Sequence, residues 1–249
     1  MDKCKSENEI KPLITSIKTI NPTRILFIGN SFLYYGDGVH SHIRRMAIES
    51  GMITQQECQY KSVMISGAFL GEHSIDSYLK PMKLNVPEPF QVVILQENSA
   101  VGWDQDYLST FRQTIREYVI KIRAIGAEPV LLMTPAYTKP HELTSPKMIK
   151  NLNQYYTEVG DDNRILIIPA GLAFEKAYKQ NPNIRLHMEF DGRHPSRLGS
   201  LLMACTIYAG VYGSPINNSY NYYGRVDKQD KDFIQKIAQE TIDEYHTKG

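Results

Sequence analysis

Short apolar segments, each followed by turn-forming residues, recur along the chain. Residues 25–28, 90–95, 129–133 and 164–168 are runs of mainly apolar side chains, and residues 60–65 alternate between apolar and polar positions. Continuous apolar runs of this length are typical of strands buried on both faces of a sheet, and alternation is typical of a half-buried strand. The pattern therefore predicts five strands.

Helical periodicity fills the intervals between these segments. Over residues 107–125, apolar side chains recur every three or four positions, which predicts an amphipathic helix. Further helices are predicted over 39–50, 70–79, 146–159, 172–179, 197–212 and 228–246. Strands that alternate with helices favour an α/β fold with three α/β/α layers. We expect a flavodoxin-like parallel sheet of about five strands, connected by right-handed crossovers.

The chain has 249 residues, and no linker, repeat or low-complexity segment divides it. A chain of this length is compatible with one large domain. Residues 1–22 are mainly polar and end in Asn21-Pro22, a dipeptide that breaks regular structure. We therefore expect an N-terminal extension over 1–22 and a single domain over 23–249.

Composition narrows the classes of function and location. Lys plus Arg total 28 and Asp plus Glu total 27, a balance that disfavours nucleic acid as a partner. No apolar stretch approaches the ~20 residues of a transmembrane helix. The three cysteines are far apart and predict neither a zinc site nor a disulfide framework. The first residues lack a signal-peptide core, which predicts a cytoplasmic protein. The alternative is an exported or lipid-anchored form from which a leader was removed, and Cys4 would suit it.

The first predicted strand ends abruptly in Gly29-Asn30-Ser31. Gly and Asn tolerate positive φ, so we expect a sharp turn there. Ligands of open α/β sheets bind outside the carboxyl ends of the strands, which is where this turn places Ser31. Ser31 is therefore a candidate nucleophile, and the alternative is that it only caps the following helix.

Other polar residues follow the next strands or lie late in the chain. A serine nucleophile needs a base within hydrogen-bond distance, and that base needs an acceptor to orient it. Asp191 and His194, three residues apart on one loop, supply these groups in the order Ser…Asp…His. The backbone N–H groups of Ser31 and Gly67 and the side-chain amide of Asn98 are candidate donors to an oxyanion.

These residues stand in four short motifs: G-N-S-F at Ser31, I-S-G-A at Gly67, Q-E-N-S at Asn98 and D-G-R-H-P at His194. In this arrangement the chain resembles the SGNH (GDSL-like) hydrolase superfamily over residues 24–212. The resemblance implies an esterase, lipase, thioesterase or carbohydrate O-acetylesterase that uses no metal or cofactor. It also implies catalysis by Ser31, His194 and Asp191, with an oxyanion hole from Ser31, Gly67 and Asn98.

The chain departs from the superfamily pattern in two motifs. The first reads G-N-S where G-D-S is commoner, and the third reads Q-E-N-S where G-x-N-D is usual. Gln96 and Glu97 thus add bulk and charge beside the site, and we expect them to contact substrate and narrow its acyl side. An unpaired carboxylate there would disfavour a long apolar chain, because its desolvation is costly.

Aromatic side chains near the site add an expectation about the rest of the substrate. Tyr34, Tyr35 and Trp103 carry polar handles that suit the faces of sugars, although such residues are as often ordinary packing. No long amphipathic lid helix is evident. We expect hydrolysis of short-chain, acetyl, esters on a small molecule or oligosaccharide, as by a carbohydrate O-acetylesterase. The alternatives are a lipase or thioesterase for longer chains and a non-catalytic carbohydrate-binding descendant.

Two other kinds of site are less consistent with the sequence. A metal site formed by His187, Asp191 and His194 would use ordinary ligand types but would leave Ser31 unexplained. The nucleophile motif of α/β-hydrolases, G-x-S-x-G, is absent, because Leu33 stands where the final glycine is required.

Overall fold

A computed structural model of the protein describes residues 10–213 and 219–247. A five-stranded sheet lies at its centre, formed by β1 (Ile25–Gly29), β2 (Lys61–Met64), β3 (Val92–Leu95), β4 (Glu128–Leu132) and β5 (Leu166–Ile168). All neighbouring strands are parallel, in the order β2-β1-β3-β4-β5. This is the flavodoxin-like order, and it confirms the predicted fold class.

Helices fill the intervals as the periodicity predicts, apart from the first, short helix, which no periodicity predicted. They are α1 (Ser31–Tyr34), α2 (Val39–Glu49), α3 (Ile75–Tyr78), α4 (Asp106–Ala124), α5 (Pro146–Asn163), α6 (Ala170–Gln180), α7 (Arg197–Tyr212) and α8 (Lys228–His246). Two 3₁₀ turns, Leu70–Glu72 and Ser99–Gly102, follow β2 and β3.

The predicted helix over 70–79 was wrong in one respect, because it is divided into the first 3₁₀ turn and α3. The single hydroxyl hydrogen of Tyr118 is shared between the carbonyl oxygens of Leu70 and His73. The His73 ring also bonds to the carbonyl of Gly29, with 3.0 Å between Nε2 and the oxygen. The bonds from Tyr118 engage carbonyl groups that a continuous helix would have used, and the bond to Gly29 fixes the His73 side chain against β1.

One of the two long C-terminal helices, α7, belongs to the core. Helix α7 packs against α2 and against α8, and every residue from 199 to 212 is buried. Its sequence is apolar around most of its circumference, which is typical of a helix enclosed on all sides. Strands β1, β3 and β5 are buried throughout, whereas β2, at one edge of the sheet, is half-buried.

The described part of the predicted N-terminal extension, residues 10–22, lies against the domain. The carboxylate of Glu128 accepts the backbone N–H of Lys18 at 2.8 Å, at the start of β4. Ile14 and Ile17 are partly buried against the core. This segment is therefore fixed to the amino ends of the strands, the edge opposite the carboxyl ends that Ser31 follows.

Cys4 lies outside the described residues. Cys205 is buried and Cys58 is half-buried. Within residues 10–213 and 219–247, none of the helices combines the length and apolarity that a membrane span requires.

Candidate active site

Ser31 is the first residue of α1, directly after the carboxyl end of β1. The chain turns there as expected but without a positive φ, because Asn30 has extended backbone with φ −131° and ψ −152°. The Asn30 side chain instead caps α1 by accepting the N–H of Phe32, and its amide donates to the carbonyl of Ala68 at 2.9 Å. Asn30 therefore joins the nucleophile turn to the loop that follows β2.

Glycine is needed at position 29, the end of β1, because a side chain would not fit there and not because of its conformational freedom. A Cβ atom there would lie 2.5 Å from Oε1 of Gln96. That oxygen accepts the backbone N–H of Asn30 at 2.9 Å, so a side chain at position 29 would displace the bond that supports the turn.

Gln96 and Glu97 are both buried, with exposed fractions of 0% and 2%. The amide of Gln96 donates to the carbonyl of Glu97. Oε1 of Glu97 accepts the N–H groups of Leu70 and Asn98. The expectation that both side chains contact substrate and narrow the acyl side of the site was wrong, because they lie under the loops and hold backbone groups.

Ser31, His194 and Asp191 form a continuous hydrogen-bonded series. Oγ of Ser31 lies 2.8 Å from Nε2 of His194, and Nδ1 of His194 lies 2.5 Å from Oδ2 of Asp191. A carboxylate can only accept, so it favours the tautomer with hydrogen on Nδ1. Nε2 is then free to accept the serine hydroxyl, as a general base must.

The Asp191 carboxylate is also held by backbone groups. Its Oδ1 accepts the N–H of Arg193 at 2.9 Å and that of His194 at 3.1 Å. Burial opposes ionisation, but the hydrogen bonds from His194 and Arg193 outweigh it and lower the pKa of Asp191 below its ordinary value. The carboxylate is thus ionised and fixed in orientation at neutral pH.

The loop that carries Asp191 and His194 has a tight bend at Gly192, where φ is +61°. A Cβ atom there would lie 2.0 Å from the carbonyl oxygen of Thr138. Thr138 instead donates its N–H to the carbonyl of Gly192 at 2.8 Å. The loop is therefore seated against the segment that follows β4, which sets where the imidazole lies.

The three candidate oxyanion groups lie at neighbouring strand ends, because β1 is between β2 and β3. The amide of Asn98 donates to the carbonyl of Gly67 at 2.7 Å, and its oxygen accepts the N–H of Ala100 at 3.1 Å. A side-chain amide has two hydrogens, so one remains for a ligand. The N–H of Ser31 is in the first turn of α1, where an amide has no partner inside the helix.

A pair of tyrosines covers one face of the imidazole. The Tyr35 ring stacks on His194 with centroids 4.2 Å apart and planes 12° from parallel, and Tyr34 stacks on Tyr35 at 5.5 Å. Tyr34 is 40% exposed, and its hydroxyl lies 3.1 Å from Oγ of Ser66. The sequence predicted both tyrosines as substrate contacts but not the stacking on His194, for which it contains no local signal.

The remaining aromatic candidate, Trp103, and two tyrosines late in the chain occupy different places. Trp103 follows the 3₁₀ turn after β3 and is 42% exposed. Tyr220 and Tyr222 are buried, and the Tyr220 hydroxyl lies 2.7 Å from Nδ1 of His42. Those two tyrosines are therefore packing residues.

The residues of the alternative metal site are used in other ways. Both ring nitrogens of His194 already face Ser31 and Asp191. His187 stacks on Tyr178, and burial lowers the pKa of its imidazole to about 4, so it is neutral. In the part of the chain that the structure describes, no three His, Cys, Asp or Glu side chains are grouped as metal ligands.

Comparisons with known proteins place this architecture among solved structures. No family model matches the sequence, and no curated protein matches it. A DUF4886 family protein from Bacteroides uniformis is similar, with a TM-score of 0.69 and 18% identity over 88% of this chain and 93% of that one. The acetyl xylan esterase AlAXEase is similar with a TM-score of 0.57 and 18% identity, over 75% of this chain and 98% of that one.

A mutant of Axe2, an acetyl-xylooligosaccharide esterase from Geobacillus, is also similar. The TM-score is 0.54 and the identity 16%, over 82% of this chain and 100% of that one. At these identities the likeness concerns the fold.

Proposed function

Because the chain has the fold of the SGNH (GDSL-like) hydrolases, we propose that it is a serine esterase that removes acetyl groups from carbohydrates. The observation that carries this proposal is the series from Ser31 Oγ through the His194 ring to Asp191, with distances of 2.8 Å and 2.5 Å. A serine hydroxyl becomes an effective nucleophile when a correctly oriented base accepts its proton.

The proposed reaction proceeds through an acyl-enzyme. Oγ of Ser31 attacks the ester carbonyl carbon while Nε2 of His194 takes the hydroxyl proton, and Asp191 stabilises the imidazolium that forms. The oxyanion receives hydrogen bonds from the N–H groups of Ser31 and Gly67 and from the Asn98 amide. The sugar hydroxyl leaves with the proton from His194. Water then attacks acetyl-Ser31 with His194 as base, which releases acetate and regenerates the hydroxyl.

Two observations support a carbohydrate as the carrier. The stacked Tyr34–Tyr35 pair offers an exposed aromatic surface beside the nucleophile, and rings with polar handles suit sugar faces. Two of the solved structures that share the fold are named as esterases of acetylated xylan or xylo-oligosaccharide. A bulk-lipid substrate would call for a long amphipathic lid, which the sequence does not predict.

The nucleophile is tested with Ser31→Ala. We expect a loss of several orders of magnitude in kcat for p-nitrophenyl acetate, and loss of labelling by a fluorophosphonate probe. Ser66→Ala is the matched control, because Ser66 also follows a strand but its Oγ faces the hydroxyl of Tyr34 and, within the described part of the chain, no base. The control should still be labelled. Full activity in Ser31→Ala, or inactivation of the wild type by a metal chelator, would contradict the proposal.

The substrate class is tested separately with p-nitrophenyl esters of increasing chain length beside acetylated xylo-oligosaccharides. We expect acetyl esters to have a higher kcat/KM than octanoyl esters, and acetate to be released from the oligosaccharides. Faster turnover of the octanoyl ester would favour a lipase or thioesterase.

A further inference from the structure

Glu97 is a buried carboxyl that joins two of the loops around the nucleophile. One oxygen, Oε1, accepts the N–H of Asn98 at 2.6 Å and the N–H of Leu70 at 3.0 Å. Leu70 begins the 3₁₀ turn in the segment after β2, three residues from Gly67, whereas Asn98 follows β3. A single oxygen therefore sets the spacing between the segments that carry two candidate oxyanion donors.

Among the residues that the structure describes, no cation is placed to favour the charge of this carboxyl. The titratable groups that face it are Glu72, Tyr118 and Tyr156. Burial is the main cause of a raised pKa, to about 7, which the two backbone hydrogen bonds oppose and Glu72 reinforces. Glu97 consequently changes its charge near neutral pH.

We propose that Glu97 is a positioning residue for the oxyanion hole, whose ionised carboxylate holds the backbone at Asn98 and Leu70. This inference rests on the proposed esterase function. An ionised acceptor makes shorter and stronger hydrogen bonds to N–H groups than a neutral one. The Asn98 amide, which also bonds to the carbonyl of Gly67, is thereby held in the orientation that an oxyanion requires.

The negative charge of Glu97 that assists catalysis also destabilises the folded protein. Loss of this charge should therefore lower activity and raise stability. The pKa of Glu97 is higher in the folded than in the unfolded protein, so the folded state binds the extra proton. The bound proton stabilises the folded state fully below the pKa of Glu97 in the unfolded protein, and this stabilisation is lost as the pH rises through about 7. Above this pH, replacement of Glu97 by neutral glutamine should raise stability while it lowers activity.

The test compares Glu97→Gln with the wild type in kcat, KM and thermal midpoint at pH 5 and pH 8. At pH 8 we expect kcat for an acetyl ester to fall about tenfold with little change in KM, because a preorganised oxyanion hole acts mainly in the transition state. We expect the thermal midpoint of the variant to exceed that of the wild type at pH 8 but not at pH 5. The ratio of the wild-type kcat to the kcat of Glu97→Gln should change as the pH rises through about 7, since only the wild type has the ionisable carboxyl of Glu97.

Glu128→Gln is the matched control. Glu128 also accepts backbone N–H groups, those of Lys18 and Thr19, but at the amino end of β4. We expect its kcat to equal that of the wild type and its thermal midpoint not to rise at pH 8. A merely structural role for Glu97 would make Glu97→Gln behave like this control or lose stability and activity together.

Three results would overturn the inference while the wild type hydrolyses esters: an unchanged kcat, a higher kcat, or a lower thermal midpoint at pH 8 in Glu97→Gln. A higher kcat would mean that repulsion between the carboxylate and the oxyanion outweighs positioning. A wild type without turnover or Ser31 labelling is a different result. It would remove the proposed function, and this inference with it.

Discussion

Asn98, at the start of a 3₁₀ turn, forms hydrogen bonds with both ends of its side-chain amide. Its oxygen caps the turn by accepting the N–H of Ala100, and its amide reaches across the end of β1 to the carbonyl of Gly67. The same residue thus shapes its own loop and ties it to the neighbouring one. Of its two amide hydrogens, the second is the one proposed to meet the oxyanion.

Replacement of Asn98 by alanine should lower kcat by ~10²–10³ with little change in KM, because a donor to the oxyanion acts mainly in the transition state. Steady-state kinetics with p-nitrophenyl acetate measures both constants. Asn151→Ala is the control, since Asn151 donates to the carbonyl of Gly102 in the same turn at 3.1 Å and only supports it. Its kcat should stay near that of the wild type. An unchanged kcat in Asn98→Ala would exclude Asn98 from the oxyanion hole.

At the scale of elements, the loop between α6 and α7 determines where the base lies. Its chain is held on both sides: Met188 donates its N–H to the carbonyl of His194 at 2.8 Å, and Thr138 donates to Gly192. Ser196 then caps α7 by accepting the N–H of Gly199. The imidazole is therefore positioned by a buried helix and by the segment after β4, and the loop has little freedom of its own.

Gly192→Ala should disturb this loop through a steric clash, in addition to the strain that a positive φ imposes on alanine. Gly213 has the same φ of +61°, but a Cβ there would meet none of the described residues within 4 Å, whereas at Gly192 it would meet Thr138. Gly213→Ala is therefore expected to cost only the left-handed strain of about 1–2 kcal/mol and to keep its kcat. Gly192→Ala should lose more stability and at least about tenfold in kcat, since small misplacement of reacting groups is costly. Thermal melting and kinetics measure both, and equal behaviour of the two variants would contradict the argument.

At the scale of the whole molecule, the strand order brings the candidate site together. Because β1 lies between β2 and β3, Ser31 emerges between Gly67 and Asn98, and α7 delivers the His194 loop to the same edge. Parallel strands place all their carboxyl ends on that edge and all their amino ends on the other. Residues 10–22 are attached at the amino ends of the strands. The length of the strands therefore separates this segment from the candidate site.

Removal of residues 1–20 should therefore lower stability without affecting catalysis. The deletion exposes the surface that Ile14 and Ile17 partly cover and removes the bonds to Glu128. Partial burial of two isoleucines corresponds to about 2–3 kcal/mol, or a decrease of roughly 4–12 °C in thermal midpoint. The kcat for acetyl esters, measured well below that midpoint, should equal the wild-type value. A large fall in kcat would show that the segment contributes to the site.

Much of the fold was predictable because its signals are local. The apolar runs and the helical periodicity depend on residues within one or two turns of each other, and they placed all five strands and gave the predicted bounds of α7 and α8 unchanged. The break of the helix predicted over 70–79 was not predictable, since it depends on Tyr118, some forty residues further along the chain.

The candidate site was predictable in its membership and less so in its internal arrangement. Ser31, Asp191 and His194 stand in recognisable motifs, and strand ends of a parallel sheet must meet at one edge. The roles of Gln96 and Glu97 were misjudged because a sequence shows that a side chain is polar but not which way it points. Both side chains are buried under the loops, and the packing of the folded chain decides which side chains are buried.

Periodicity and turn chemistry act between near neighbours, so the layers, the strand count and the residues available for chemistry could all be predicted from the amino-acid sequence. Which distant groups meet depends on the packing of the folded chain. Examples are the Tyr35 ring on His194, the Asn30 amide on Ala68 and the Glu97 carboxylate under Asn98. Such contacts depend on how the sheet and helices pack as a whole, and no local pattern along the chain encodes them.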